Sequence, residues 1–215
     1  MSINTYLQKD QKNDKVKLLS PRGLTVISVL SAIAVVLMMF SIPLWFAPNF
    51  YKIDLSEVPI LIGAFTLGPI AGIVIEFIKI LLNLFLKGTD TAFVGEIANF
   101  ILGCSLVIPS AVIYHRAKNI KSAIVGMVVG TICFVIVGSL LNAYVLLPTY
   151  AKIYGMPLDK LVAMGTAVNP RITSLNTFVL FAVAPFNLIK GVIASVLTGL
   201  LYKRVSPVIK GFHRN

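Results

Sequence analysis

The stretch VPILIGAFTLGPIAGIVIEFIKILLNLFL, Val58 to Leu86, is almost wholly apolar for 29 residues, broken mainly by Glu76, Lys79 and Asn83. As one helix it would measure about 44 Å, too long for a single crossing of a hydrocarbon core of about 30 Å and somewhat short for two. Periodicity leaves the choice open, and charge decides it. Lys9, Lys12, Lys15, Lys17 and Arg22 precede the first apolar run, while Lys203, Arg204, Lys210 and Arg214 follow the last. Cytoplasmic flanks gather Lys and Arg, so both termini are expected inside and the number of crossings is even. The stretch therefore divides at Leu67-Gly68-Pro69, where Gly closes one helix and Pro opens the next. Predicted helices 2 and 3 are accordingly short and interrupted by Gly and Pro.

Four further runs are each long enough to span: Leu24–Phe46 and, approximately, Ala92–Tyr114, Ala123–Leu147 and Asn176–Leu201. The fold class is an all-α membrane protein with six transmembrane helices and cytoplasmic N and C termini. Its predicted organisation is a basic tail over residues 1–23, a transmembrane domain over 24–205 and a second basic tail over 206–215. Ile42-Pro43-Leu44-Trp45-Phe46 is no small-residue cleavage site, so the first helix is read as retained. Composition agrees, since 57% of the 215 residues are apolar and only 13% are charged. That is about half the charged share of a soluble domain, which excludes an ordinary cytosolic enzyme.

The net charge of +11 is not a nucleic-acid footprint, because the basic residues cluster between apolar runs instead of lining a polar face. Arg116, Lys118 and Lys121 fall in an inner loop, whereas the outer loops balance Lys52, Lys87, Lys152, Lys160 and Arg171 against Asp54, Glu57, Asp90, Glu96 and Asp159. The longest outer segment, Pro148 to Leu175, is too polar to span and is a candidate lid. Cys104 and Cys133 lie inside apolar runs, so no disulfide is expected. His115 and His213 lack partners at ligand spacing, and no metal site is expected. A phosphate-binding loop, a His-Glu-x-x-His helix and a Gly-x-Ser-x-Gly elbow are all absent, so the chain is not expected to be an enzyme or to hydrolyse ATP itself.

Polar side chains inside a bilayer are costly and are functional candidates by default, although many only join one helix to another. Asn187 and Lys190 are three apart on one helix face, beside the carbonyl that Pro185 frees. They either line a polar cavity or bury a structural pair between Lys190 and a carboxylate. Glu57, at a helix start, is a ligand contact or simply an acid favoured by the helix dipole. Asn142 beside Tyr144, and Glu96 with Asn99, divide in the same way between ligand binding and helix-to-helix bonding. Glu76 and Lys79, also three apart, read as mutual neutralisation within one helix. Trp45, Phe85, Phe93, Tyr144, Tyr150 and Tyr154 form an outer aromatic belt, only part of which could stack a flat ring. Ser28 and Ala32 form a small-xxx-small pair on the first helix that permits close approach of another helix.

Lys52-Ile53-Asp54-Leu55-Ser56-Glu57-Val58-Pro59, Gly68-Pro69-Ile70-Ala71-Gly72, Gly95-Glu96-Ile97-Ala98-Asn99-Phe100, Asn142-Ala143-Tyr144 and Pro185-Phe186-Asn187-Leu188-Ile189-Lys190-Gly191, in that order, resemble the riboflavin-specific S component of energy-coupling factor (ECF) transporters. The resemblance runs from about residue 24 to 205. It implies a bacterial plasma-membrane subunit that captures riboflavin from outside with high affinity and works with a transmembrane scaffold subunit and two cytoplasmic ATPases. Riboflavin would be the transported ligand, with no cofactor. Carried over by motif, Glu57, Asn142, Asn187, Lys190 and, less directly, Asn99 would contact the ligand, and Ser28 and Ala32 would approximate the scaffold-facing surface. Another vitamin or flavin stays open, because Lys190 could accept the phosphate of flavin mononucleotide; so does a stand-alone secondary carrier.

Overall fold

The computed structural model describes residues 18, 20–45, 48, 51–89 and 91–211, with side chains as far as Val205. Lys9, Asp10, Lys12, Asp14, Lys15, Lys17, Phe46, Asp90, His213 and Arg214, and the side chain of Lys210, lie outside the described residues. Helix α1, Pro21–Met39, starts three residues before the predicted span because Ser20 caps it: the Ser20 hydroxyl accepts from the Gly23 N–H at 3.1 Å, and Pro21 takes the first helical position. It also ends well short of Phe46. The chain then forms a two-strand ribbon in which β1, Ile42–Pro43, pairs antiparallel with β2, Lys52–Ile53. Two-residue strands with a proline at the edge leave no alternating pattern, so nothing in the sequence announced them.

The decisive stretch breaks at Gly68. Helix α2, Glu57–Leu67, ends there, and α3, Pro69–Lys87, begins at the next residue. Gly68 has φ 112° and ψ 167°, a region open almost only to glycine. The expectation that both helices are short is corrected: α2 has 11 residues, but α3 has 19, because nothing stops it before Gly88 at φ 75°. Every residue from Glu57 to Phe65 is buried, as suits a helix that is apolar all round. Helix α2 fills the centre of the bundle instead of facing lipid.

Helix α4, Val94–Ala117, is followed by α5, Ile120–Leu141, which continues through a π-helical turn, Asn142–Leu146, into α6, Leu147–Ile153. Then come α7, Leu158–Thr166, and α8, Leu175–Phe178, with a second π-helical turn, Val179–Val183, leading into α9, Ala184–Gly211. Each π turn holds the residue four before a proline, Tyr144 for Pro148 and Phe181 for Pro185. A proline ring collides with that carbonyl and has no N–H to bond it, and the wider turn relieves both problems. Helices α1, α2, α3, α4 and α9 pack around one another, and α5 closes the bundle against α4 and α9.

Five helical segments among the described residues are long and apolar enough to cross a membrane: Pro21–Met39, Pro69–Lys87, Val94–Ala117, Ile120–Ile153 and Leu175–Val205. At 11 residues α2 covers only about 16 Å, roughly half a hydrocarbon core. Buried side chains form two clusters. Ile27, Leu30, Ile60, Leu61, Phe65, Ile75, Leu106 and Phe134 belong to the bundle interior. Tyr51, Leu147, Leu161, Ile172, Phe178 and Phe186 join the α1–α2 connection to α6, α7 and the start of the last span. The segment 148–175, the candidate lid, carries most of α6 and all of α7, which pack in the second cluster with Tyr51 and Phe178. Gly68→Ala should destabilise the protein by about 1–3 kcal/mol in a thermal unfolding series in detergent, purely through backbone strain, since no atom lies within 4 Å of the added Cβ.

Candidate functional site

Between the two clusters lies a cavity of about 560 Å³ whose lining includes Glu57, Asn99, Asn142, Asn187 and Lys190, the five residues singled out for ligand contact, together with Glu96. Helical spacing delivers them. Helix α3 contributes Ile80, Asn83 and Lys87 and α4 contributes Gly95, Asn99 and Leu102, at spacings of three or four residues, while α9 contributes Phe186 and Asn187 with Lys190 one turn further on. Of the predicted aromatic belt only Tyr150 and Tyr154 reach the cavity. Trp45, Phe85, Phe93 and Tyr144 are exposed on the outside. Tyr51 and Phe186 add rings from positions the sequence reading had not singled out.

Two buried charge groups stand behind this lining. Lys79, 2% exposed, donates to Glu57 Oε1 at 3.0 Å and to Ser56 Oγ at 3.4 Å. Its Nζ also lies 2.7 Å from Glu76 Oε1, forming an ion pair one turn along the same helix. The expected pairing of Glu76 with Lys79 is therefore present, but the same ammonium also holds Glu57 of the neighbouring helix. Lys190 Nζ donates to Asp54 Oδ2 at 3.0 Å, while the Ser56 N–H donates to Asp54 Oδ1 at 2.9 Å in an Asx turn and the Ser56 hydroxyl donates to the same oxygen. Lys190 thus lines the cavity and is also ion-paired.

The amides are anchored unevenly. Asn142 Nδ2 donates to the Gly138 carbonyl at 2.8 Å, and its Oδ1 accepts from the Tyr51 hydroxyl at 2.6 Å. Burial pushes the Tyr51 hydroxyl far above its usual value, so it stays a proton donor. Asn187 sits directly against Gly138, where an added Cβ would collide with its amide. Asn187 Nδ2, Asn83 Oδ1 and Glu57 Oε2 are buried without a hydrogen-bond partner among the described residues. One donor group and two acceptors, on three helices that line one cavity, are thereby available to a ligand. At the mouth Thr91 Oγ1 donates to Glu96 Oε2 at 3.0 Å, and Lys52 and Lys87 are exposed. Ser28 and Ala32 are exposed on α1, whereas Ser31 and Ala34 face the core.

Asp54 and Asn83 escaped the sequence reading. Asn83 carried a usable signal, being four residues after Lys79 on one helix face. Asp54 carried none, since no local rule links a loop carboxylate to a lysine 136 positions away.

An apolar and aromatic cavity with a few convergent polar groups, set inside a bundle of membrane-length helices, defines a solute-binding membrane protein. Residues 22–202 match the family described as "ECF transporter, substrate-specific component". The chain is 36% identical over 196 residues to the riboflavin transporter RibU of Staphylococcus aureus, covering 91% of this chain and 96% of that one. It is 34% identical over 190 residues to the riboflavin transporter FmnP of Bacillus subtilis, covering 88% and 94%. A solved structure, described as that of the S component of a bacterial ECF transporter, superposes with a TM-score of 0.67 at 35% identity, covering 89% of this chain and 97% of the other. The chain belongs to the substrate-specific (S) component family of ECF transporters and is a multi-pass membrane protein.

Burial pushes the Asp54 carboxyl up, but the ammonium groups of Lys190 and Lys79 and the bonds from Ser56 outweigh it and bring the value down to about 2. An unfolded Asp titrates at about 3.9, so the stability this carboxylate contributes is fully present above that value and is lost as pH falls through about 2. The difference in thermal stability between the protein and Asp54→Asn should be constant from about pH 7 to 5 and shrink below about pH 4. A gap that stayed constant down to about pH 2 would contradict the pairing.

Proposed function

We propose that this protein is the riboflavin-capture subunit of an ECF transporter and that the ligand occupies the 560 Å³ cavity. The observation that carries the reading is the set of unpartnered buried atoms, Asn187 Nδ2, Asn83 Oδ1 and Glu57 Oε2, on three helices lining a cavity that also holds Tyr51, Tyr150 and Phe186. A ribityl chain offers hydroxyls that both donate and accept, and a tricyclic ring needs an apolar, aromatic slot. The relatives' names point to the same vitamin. Glu57, Asn142, Asn187 and Lys190, with Asn99 beside them, are assigned to ligand contact; Asn83 joins them through its unpartnered oxygen.

The same reading extends to the partners and the topology. Uptake uses ATP hydrolysed by partner subunits, a reading supported by membership of the ECF transporter family. A transmembrane scaffold subunit docks on the membrane-facing side of α1, where Ser28 and Ala32 are exposed. The topology is six spans with both basic tails, 1–23 and 206–215, on the cytoplasmic side, α2 being the short second span and Asp54 lying in the outer loop before it. Irregular backbone is tolerated at membrane depth where protein surrounds it, which suits a helix as enclosed as α2.

Equilibrium titration of riboflavin into purified protein, followed by quenching of flavin fluorescence, should give tight one-to-one binding. Combining Asn187→Ala with Lys190→Ala should weaken it at least tenfold, because each substitution removes a buried ligand contact or strands a buried partner. A loss of no more than about twofold would move the ligand away from these residues.

A further inference from the structure

Lys190 is the cation that the sequence alone offers to a phosphate group. In the structure its charge is already met by Asp54, and that of Lys79 by Glu57 and Glu76. Three buried carboxyl groups, Asp54, Glu57 and Glu76, thus stand beside the two ammonium groups, and neither ammonium is left unpaired. Among the cavity-lining residues, the buried atoms without a hydrogen-bond partner are Asn187 Nδ2, Asn83 Oδ1 and Glu57 Oε2. A phosphate monoester carries about −1.5 to −2 charges and three strong acceptor oxygens. Placed in this interior it would meet no unpaired ammonium and would approach the unpartnered carboxylate oxygen of Glu57 at low dielectric, where like charges repel most strongly. Lys52 and Lys87 also line the cavity, but at its exposed mouth, where water and salt screen them and Glu96 opposes them.

We propose that Asp54 is a specificity-determining residue that sets the charge of the ligand. By neutralising Lys190 it leaves the interior without free positive charge, so the cavity takes a neutral polyhydroxylated flavin and rejects its phosphate ester. Asp54 does not line the cavity and acts through Lys190. This inference rests on the reading of the cavity as a flavin site.

The experiment measures dissociation constants for riboflavin and for flavin mononucleotide on the purified full chain, on Asp54→Asn and on Asp54→Asn combined with Lys190→Gln. Asp54→Asn keeps a side-chain oxygen for the Ser56 N–H and replaces the oxygen that accepts from Lys190 by an amide NH2, so Lys190 loses both its counter-charge and that acceptor. The unmodified protein should prefer riboflavin by at least tenfold. Asp54→Asn should shift the ratio of the two constants at least tenfold toward the phosphorylated flavin, whatever happens to either affinity alone, and removing the Lys190 charge as well should restore the original ratio. A merely structural role for Asp54 would weaken both ligands by the same factor and leave the ratio unchanged, which would overturn the proposal while the flavin reading stood. Equal affinity of the unmodified protein for the two flavins would overturn it as well. Failure of the unmodified protein to bind either flavin would remove the flavin reading and this proposal with it.

Discussion

The structure is organised around charges that have no water to solvate them. Lys79 is buried at 2% exposure among membrane-length helices, and an isolated ammonium there would cost several kcal/mol. Glu76 is one turn away on the same helix, and Glu57 reaches across from α2. This requirement ties the first turn of α2 to the middle of α3, and the sharp joint at Gly68 brings the two helices side by side. Asp54 and Lys190 do the same between the α2 approach and α9. Breaking either group by removing one partner would strand a buried charge, which costs far more than the net worth of the pair.

These pairings also shape the cavity. Lys79 occupies one oxygen of Glu57 and leaves Oε2 without a partner. Asp54 occupies Lys190 at the end of the helix turn that carries Asn187. The two π-helical turns, each just ahead of a proline, lie next to Asn142 and Phe186 and rotate those side chains relative to a regular helix. Polar groups that line the cavity are thus held by a charged frame, while Tyr51, Tyr150 and Phe186 supply aromatic walls.

Much of this architecture was readable from residue order. The break at Gly68-Pro69 follows from local backbone chemistry: one residue tolerates positive φ, and the next is preset to start a helix. Asn187 and Lys190 share a face because they are three apart, and that spacing placed both on the cavity wall. The extent of α1 was misjudged because hydropathy continues past Met39 while the chain leaves the helix to pair Ile42 with Ile53. The helical content of 148–175 was missed because α6 and α7 are short and gain their stability from packing on Tyr51, Ile172 and Phe178.

The sequence by itself determined the membrane class, the long helices, the joint between α2 and α3, and the polar residues that a bilayer would not tolerate without purpose. These depend on hydropathy, backbone preference and helical period, all local properties of the chain. Tertiary structure alone decided which carboxylate answers which lysine. The Asp54–Lys190 pair spans 136 positions and Lys79 has two acids within reach, so the partner is selected by the packing of α2, α3 and α9 and not by spacing along the chain. That selection converts Lys190 from a free cation into half of a buried pair, and with it the charge at the cavity wall.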